Sequence, residues 1–420
     1  MAKCQKPAIP KIIIIGGGIQ GISVALALAK QGVTSTILES QSELMRGASY
    51  GNEGKIHLGL VYALDHTGDT GIEMLKGAHS FSPLLDRWCG DLPWHKWKSS
   101  GFRYAIMPGS MAEIPVLENY YEQLRTRLPD AIGNLPVKPS YFGKSIEWMW
   151  KRSKTTKSSP IVNGNHVPCI DTEEIAIDVQ LFSNKLREIV SGKPEITVRP
   201  NSRVINVERL NNGFKLEIES AGKTCHLDAD VVINCAWTDR IRLDRLASVE
   251  IEDTPLSYRI KHRVIVQPLS SDNDLVPVTM VQGPYGDIVP YKNGSIYLSW
   301  YPECRTYFNH LPPPAEICGA ETLSAIADRT LTKMSELFPA LHSSKILTCS
   351  PGVIVAEGTS DVDDPESKLH RRSTSGPRGG NGWWSVDTGK LTLAPLHGEE
   401  TARLVLQELG IGSGIKYAAG

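Results

Sequence analysis

No stretch of this chain approaches the roughly 18 consecutive apolar residues of a membrane-spanning helix, so nothing in it reads as a span. Its eight cysteines, at 4, 89, 169, 225, 235, 304, 318 and 349, contain no CxxC pair. A chain of this size needs no disulfide staples, so they read as reduced thiols of a cytoplasmic protein. The eleven histidines include no HxH or HxxxH pair, which removes support for metal catalysis. A net charge of −1 leaves no broad basic field for nucleic acid or anionic lipid. Internal repeats and long low-complexity tracts are absent as well. Residues 1–11 carry three lysines and two prolines and run straight into a strand, so they do not read as a cleavable leader.

What is present is ordinary globular material, with 41% apolar and 22% charged residues over 420 positions. That length suits two interleaved domains rather than one core. Ile12 to Ile15 show no alternation, as expected of a central parallel strand buried on both faces. They run into a glycine turn, a helix over 22–30 closed by Gly32, and a second strand over 34–39. Regularity is lost over 81–141, and 151–159 reads as a polar surface loop. A helix is expected over 178–190 and strands over 195–207, 214–218 and 229–235. From 257 to 300 the runs RIKHRVIV, VPVTMV, GDIVPY and SIYLSW predict an antiparallel sheet. A helix over 321–337 and a glycine turn feeding a last helix over 389–409 complete the chain. Seven of the nine tryptophans cluster, as 88/94/97, 148/150 and 383/384, and core packing is their expected role.

Gly16, Gly18 and Gly21 form GxGxxG at the junction of the first strand and helix. The first glycine permits the tight turn, the second lets backbone approach a pyrophosphate, and the third allows close helix–strand packing. The helix start offers free N–H groups and a positive dipole end to phosphates. Glu39, 18 residues beyond Gly21 and at the end of the second strand, can accept hydrogen bonds from a ribose diol. Strand, helix and acid together make a dinucleotide site a strong reading, but they do not separate FAD from NAD.

The next segment does so by resemblance. Arg46-Gly47-Ala48-Ser49, followed by Asn52-x-Gly54-x-Ile56-His57-x-Gly59, resembles the D-amino-acid-oxidase-like superfamily of FAD enzymes. The motifs are most similar to those of glycerol-3-phosphate and L-2-hydroxyglutarate dehydrogenases. Thr388-Gly389-Lys390-Leu391-Thr392 is similar to their GGKLT turn, which in that family lies over the pyrimidine edge of the flavin. The segment from Asp363 to Arg372 also resembles the glycerol-3-phosphate group. The resemblance implies an α/β fold: a Rossmann-type FAD-binding domain with an inserted antiparallel β-sheet substrate domain. The expected boundaries are 1–80, 161–250 and 346–420 for the FAD domain, with 81–160 and 251–345 for the substrate domain. The implied cofactor-binding set is Gly16, Gly18, Gly21, Glu39, Ser40, Ala48, Ser49, Asn52, Gly54, Val204, Ala236, Gly389, Lys390, Leu391 and Thr392. Two departures stand out. The family's A-G-x-W element reads Asn234-Cys235-Ala236-Trp237 here, without its glycine. Its phosphate-clamping arginine in G-x-R-P is replaced by the apolar run Gly352-Val353-Ile354-Val355, which argues against glycerol 3-phosphate itself.

Oxidising an alcohol carbon with flavin requires a base for the hydroxyl proton. A neutral amine can drive the transfer with its own lone pair. His57 is the expected base, since histidine is poised near neutral pH. A structural histidine bonded to flavin or backbone is the plainer alternative, and covalent flavin attachment is another. An acidic substrate needs a cation, and Arg259, Arg263, Arg305, Arg371, Arg372 and Lys390 are available. The favoured substrate contacts are Tyr62, Arg263, Tyr297 and Arg371, with Lys261 sharing Arg263's face by alternation. The expectation is therefore an FAD-dependent dehydrogenase or oxidase acting on CH–OH of a small acidic substrate. An amine or amino-acid oxidase of the same superfamily is the first alternative, and a flavin subunit of a larger complex is the second. Oxygen, a quinone or a protein all remain open as the electron acceptor. Purified protein should be yellow and should release FAD, not FMN or NAD, on denaturation; colourless protein that FAD cannot reconstitute would refute this reading.

Overall fold

Four consecutive isoleucines make a strand only where both faces are covered, and Ile12–Ile15 is buried at every position. It lies inside a six-stranded sheet, paired in parallel with Ser35–Leu38 on one side and Val231–Asn234 on the other. Ile196–Arg199 extends the sheet beyond Ser35–Leu38. Trp383–Asp387 joins Val231–Asn234 in parallel, and Gly376–Gly380 closes that edge antiparallel. Helices Ile19–Lys30 and Ala394–Glu408 pack against each other on this sheet. The computed structural model describes residues 10–146, 148–153, 159–250, 254–269, 274–314 and 319–412.

The second layer is a nine-stranded sheet built around the long strand Leu256–Gln267. Ile296–Trp300, Gly286–Pro290 and Val278–Val281 follow it as an antiparallel series. The expected antiparallel sheet is therefore present, and the fold is a Rossmann-type layer joined to a mainly antiparallel one. A three-stranded meander, Arg203–Arg209, Phe214–Ser220 and Lys223–Ala229, forms a separate small sheet.

Several sequence expectations need correction. The strand expected over 195–207 is two strands in different sheets. Pro200 has no N–H for a ladder, and Asn201 takes a left-handed φ of 49°, so the chain turns between them. The irregular region 81–141 contains the end of a 21-residue helix, Asp69–Cys89, and all of Ile114–Ile132. Both contain a proline, which masked them. Pro83 cannot donate to the carbonyl of His79, and that carbonyl accepts instead from the Ser140 N–H at 3.0 Å. Strands Cys169–Thr172 and Lys345–Glu357 pair inside the nine-stranded sheet, although they fall within stretches assigned to the nucleotide domain. Of the loop expected over 151–159, Trp150–Arg152 is strand and residues 154–158 lie outside those described. Residues 1–9, which include Cys4, and Cys318 are also outside; Cys89, Cys169, Cys225, Cys235 and Cys304 form no disulfide.

Two neighbouring strands of the nucleotide sheet, Val231–Asn234 and Trp383–Asp387, are tied by one buried carboxylate. Asp244 is 2% exposed and accepts from Asn234 Nδ2 at 2.7 Å, Trp383 Nε1 at 2.8 Å and Ser385 Oγ at 2.6 Å. Removing it leaves three donors in an interior that offers no replacement. Asp244→Ala is expected to destabilise the FAD-free protein by about 3–5 kcal/mol, because the buried donors keep their desolvation cost without a partner. Urea unfolding checks this, and an unchanged midpoint would refute it.

Candidate functional site

The glycine turn is shaped by backbone crowding. Gly16 has φ +100°, and a Cβ there would stand 2.6 Å from the Cys235 carbonyl oxygen. A Cβ on Gly21 would fall 2.0 Å from the Gly16 carbonyl oxygen, so this third glycine serves helix–strand packing. Cys235 occupies the place of the family's A-G-x-W glycine and takes no positive φ, so a side chain is tolerated there. Gly18 caps the helix with no side-chain cap, and the first turn holds no acidic residue. That leaves a positive helix end facing the cleft. Ser49 Oγ accepts from the Ile19 N–H at 2.9 Å. Glu39 is buried, and its carboxylate accepts from the N–H groups of Gly17 and Gln41, each at 2.7 Å.

A cleft of about 810 Å³ runs over this turn. Its lining passes from Glu39, Ser40, Gln41 and Val204, through Gly16, Gly18, Ala48, Ser49, Asn52 and Ala236, to a polar region of Lys55, His57, Lys261, Tyr297, Arg372, Gly389, Lys390 and Leu391. A glycine-walled turn at a helix start, with a buried carboxylate beyond it, is a donor and acceptor set that suits FAD. The acid would hold the ribose, the helix start the pyrophosphate, and the 388–391 turn the flavin edge.

Six expected residues do not line the cleft. Gly21 and Gly54 are sites of close backbone approach; a Cβ on Gly54 would stand 1.9 Å from the Ile177 carbonyl oxygen. Thr392 is buried behind the wall, where its hydroxyl accepts from the His57 N–H at 2.8 Å. Tyr62 is buried edge-on to His57, with ring centroids 6.0 Å apart. Arg263 braces the loop that carries the motif: its guanidinium lies 4.2 Å from the Tyr50 ring centroid and donates to the Tyr50 carbonyl at 2.6 Å. Arg371 is paired with Glu366 at 2.9 Å, and its neighbour Arg372 lines the cleft instead. Arg372 Nη1 donates to the Gly389 carbonyl at 3.0 Å and so holds the glycine–lysine turn.

The charges at the polar end are mutually dependent. Lys55 is 3% exposed and donates to Thr279 Oγ1 and to Asp287, with Nζ–Oδ1 at 3.0 Å. Lys261 Nζ lies 3.5 Å from the other Asp287 oxygen. Burial opposes the ionisation of Asp287, but the two lysines outweigh it and hold the carboxyl well below the usual range. Burial pushes the Lys390 ammonium down to about 7, with Arg372, Lys261 and Lys55 adding to the push and Glu53 opposing it. His57 is 5% exposed. Burial lowers its pKa, the Glu174 carboxylate raises it, and Lys390 and Lys55 lower it further, leaving it below the ordinary histidine value. Glu174 is fully buried, with Oε1 3.7 Å from His57 Nδ1. Sequence reading missed Glu174, Lys55 and Glu53. Lys55 and Glu53 sit in the variable positions of the recognised run, while nothing local marks Glu174.

A family model described as FAD dependent oxidoreductase (DAO) matches residues 11–404. Among solved structures, glycine oxidase from Geobacillus kaustophilus superposes with a TM-score of 0.67 at 15% identity, covering 97% of each chain. The L-alpha-glycerophosphate oxidase from Mycoplasma pneumoniae, with FAD bound, gives 0.65 at 15% identity and 94% of each chain. The FAD-complexed glycerol-3-phosphate dehydrogenase from Bacillus halodurans gives 0.57 at 14% identity, over 98% of this chain and 67% of that one. At these identities the likeness establishes the fold. Among the described residues no helix is long and apolar enough to cross a membrane.

Two substitutions test the cofactor cradle. Glu39→Ala should weaken FAD binding by about 1–3 kcal/mol through lost charge-assisted bonds, and unchanged affinity by titration would show the carboxylate has another purpose. Gly389 has φ +62°, and an added Cβ would stand 2.8 Å from Ser375 Cβ. Gly389→Val should therefore distort the turn and change the bound flavin spectrum severely; a normal spectrum would exclude the turn from the flavin edge.

Proposed function

The chain belongs to the DAO family of FAD-dependent oxidoreductases, and from that premise we propose that it oxidises a CH–OH group of a small anionic substrate. The support is the meeting of His57 with Lys261, Arg372 and Lys390 in one end of the cleft. A hydroxy acid suits that combination: the cations hold its negative group and the imidazole faces its hydroxyl. FAD, when bound, supplies the two-electron acceptor for the hydride that leaves the substrate carbon. The hydroxyl proton passes to His57 Nε2, because Nδ1 is turned toward Glu174. The alcohol thereby becomes a carbonyl, with one proton on the imidazole and one hydride removed. Arg372 fixes the turn bearing Lys390 through the Gly389 carbonyl, so substrate cation and cofactor edge move together. Lys390 titrates near 7 before ligands arrive; an anion placed beside it favours the ammonium form.

Anaerobic mixing with 2-hydroxy acids, polyol phosphates and amino acids, followed by flavin bleaching, tests the reading directly. Bleaching by a hydroxy acid is expected, and bleaching by amino acids alone would replace the proposal with amine oxidation. The rate should rise with pH, because only neutral imidazole accepts a proton. The lowered pKa of His57 shifts that rise below the ordinary histidine value. His57→Ala should slow reduction by about 10²–10⁴-fold with FAD still bound; an unaltered rate with the true substrate would exclude His57 as the base.

A further inference from the structure

Residues Lys55–Ile56 and Ile175–Ala176 form a short antiparallel ladder, with Lys55 opposite Ala176 and Ile56 opposite Ile175. One more step in this register sets position 57 against position 174. The pairing is reinforced from the backbone: the Leu58 N–H donates to Glu174 Oε2 at 2.6 Å. The Tyr104 hydroxyl donates to Oε1. Glu174 is 0% exposed, and Oε1 is the oxygen 3.7 Å from His57 Nδ1. That nitrogen is buried and has no hydrogen-bond partner. A buried imidazole nitrogen without a partner is costly, and the acceptor within closing distance is a carboxylate.

We propose that Glu174 is the positioning residue of His57: its carboxylate takes the Nδ1–H, fixes that tautomer, and leaves the Nε2 lone pair for the cleft. The inference rests on the functional reading above for the identity of the proton donor, but the tautomer itself does not depend on the substrate. Two neutral donors and the ladder hold Glu174 rigidly, so the imidazole inherits a fixed plane. When Nε2 accepts a proton, the imidazolium stands beside a buried negative charge. The other charges around His57 oppose that state: Lys55 on its own strand, and Lys390 on the 388–392 turn. Tyr62, packed edge-on, is a neutral phenol whose ionisation burial disfavours most and Arg372 favours. Glu174 is the one acid that favours the imidazolium among the groups acting on His57. Burial works against ionising Glu174 itself, and His57, Lys55 and Tyr104 together hold its carboxyl below the usual range.

The experiment uses the FAD-loaded protein. In wild type, imidazole ¹⁵N shifts of His57 at a pH above its titration should report the Nδ1–H tautomer; the Nε2–H tautomer would overturn the proposal. Glu174→Gln preserves shape and removes charge. It should shift the His57 titration midpoint downward in the absence of substrate, and shift the pH rise of flavin reduction with it. The plateau rate should fall by about 10²–10⁴-fold, because losing the acceptor that fixes the tautomer costs up to the worth of the base itself. Tyr104→Phe perturbs the same pocket but leaves the carboxylate, and should move the midpoint upward or leave it in place. A purely structural role for Glu174 would lower FAD content without moving the midpoint, and an unmoved midpoint in folded Glu174→Gln refutes the proposal. If amino acids prove to be the substrates while the Nδ1–H tautomer and the downward shift are both found, the functional reading fails and the pairing survives.

Discussion

A lysine that is 3% exposed has to find its partners in protein, and Lys55 finds them in the other sheet. Its ammonium meets Thr279 and Asp287, both on strands of the nine-stranded layer. Residues on either side of it belong to the cofactor cleft. This buried contact therefore pins the short ladder that leads to His57 onto the nine-stranded layer. Breaking it would leave a charge uncompensated in an apolar interior. The rest of the polar end is arranged around it: Ile56 is paired in the short ladder, His57 hangs from Thr392, and Lys261 shares Asp287.

What could be read from the sequence was what is local in the chain. Gly16, Gly18, Glu39 and the strand–helix–strand opening declare themselves within 30 residues, because a dinucleotide turn imposes its own spacing. The 388–392 turn and the antiparallel runs after 257 were legible for the same reason. Glu174 was not, since its meeting with Leu58 spans 116 positions and depends on the register of a two-residue ladder. Arg263 and Arg371 were credible cations by type, but charge carries no direction in a sequence. One turned under the Tyr50 loop and the other toward Glu366, while Lys261 and Arg372 face the cleft. Pro83 and Pro129 concealed two long helices because the carbonyl that Pro83 strands is rescued from a distant segment.

The cluster around Asp287 also bears on substrate choice. One buried carboxylate, Asp287, lies between Lys55 and Lys261, and the carboxylates of Glu53 and Glu174 offset those lysines further, so any surplus of positive charge comes from Arg372 and Lys390. A site with surplus positive charge of this kind lowers the energy of an anion and raises that of a protonated amine. On the proposed reading, a preference for an acid over a cationic amine would rest on those two cations.

The bond from the His57 N–H to Thr392 Oγ1 joins residues 335 positions apart. A ribosome delivers His57 early and Thr392 near the end of synthesis. Until then the segment carrying His57 lacks its rear support, and the 388–392 turn has not been made. Loop closure over such a separation is slow. Until Trp383–Asp387 emerges, Val231–Asn234 has no strand on its outer side, and an unpaired strand edge is a template for other chains.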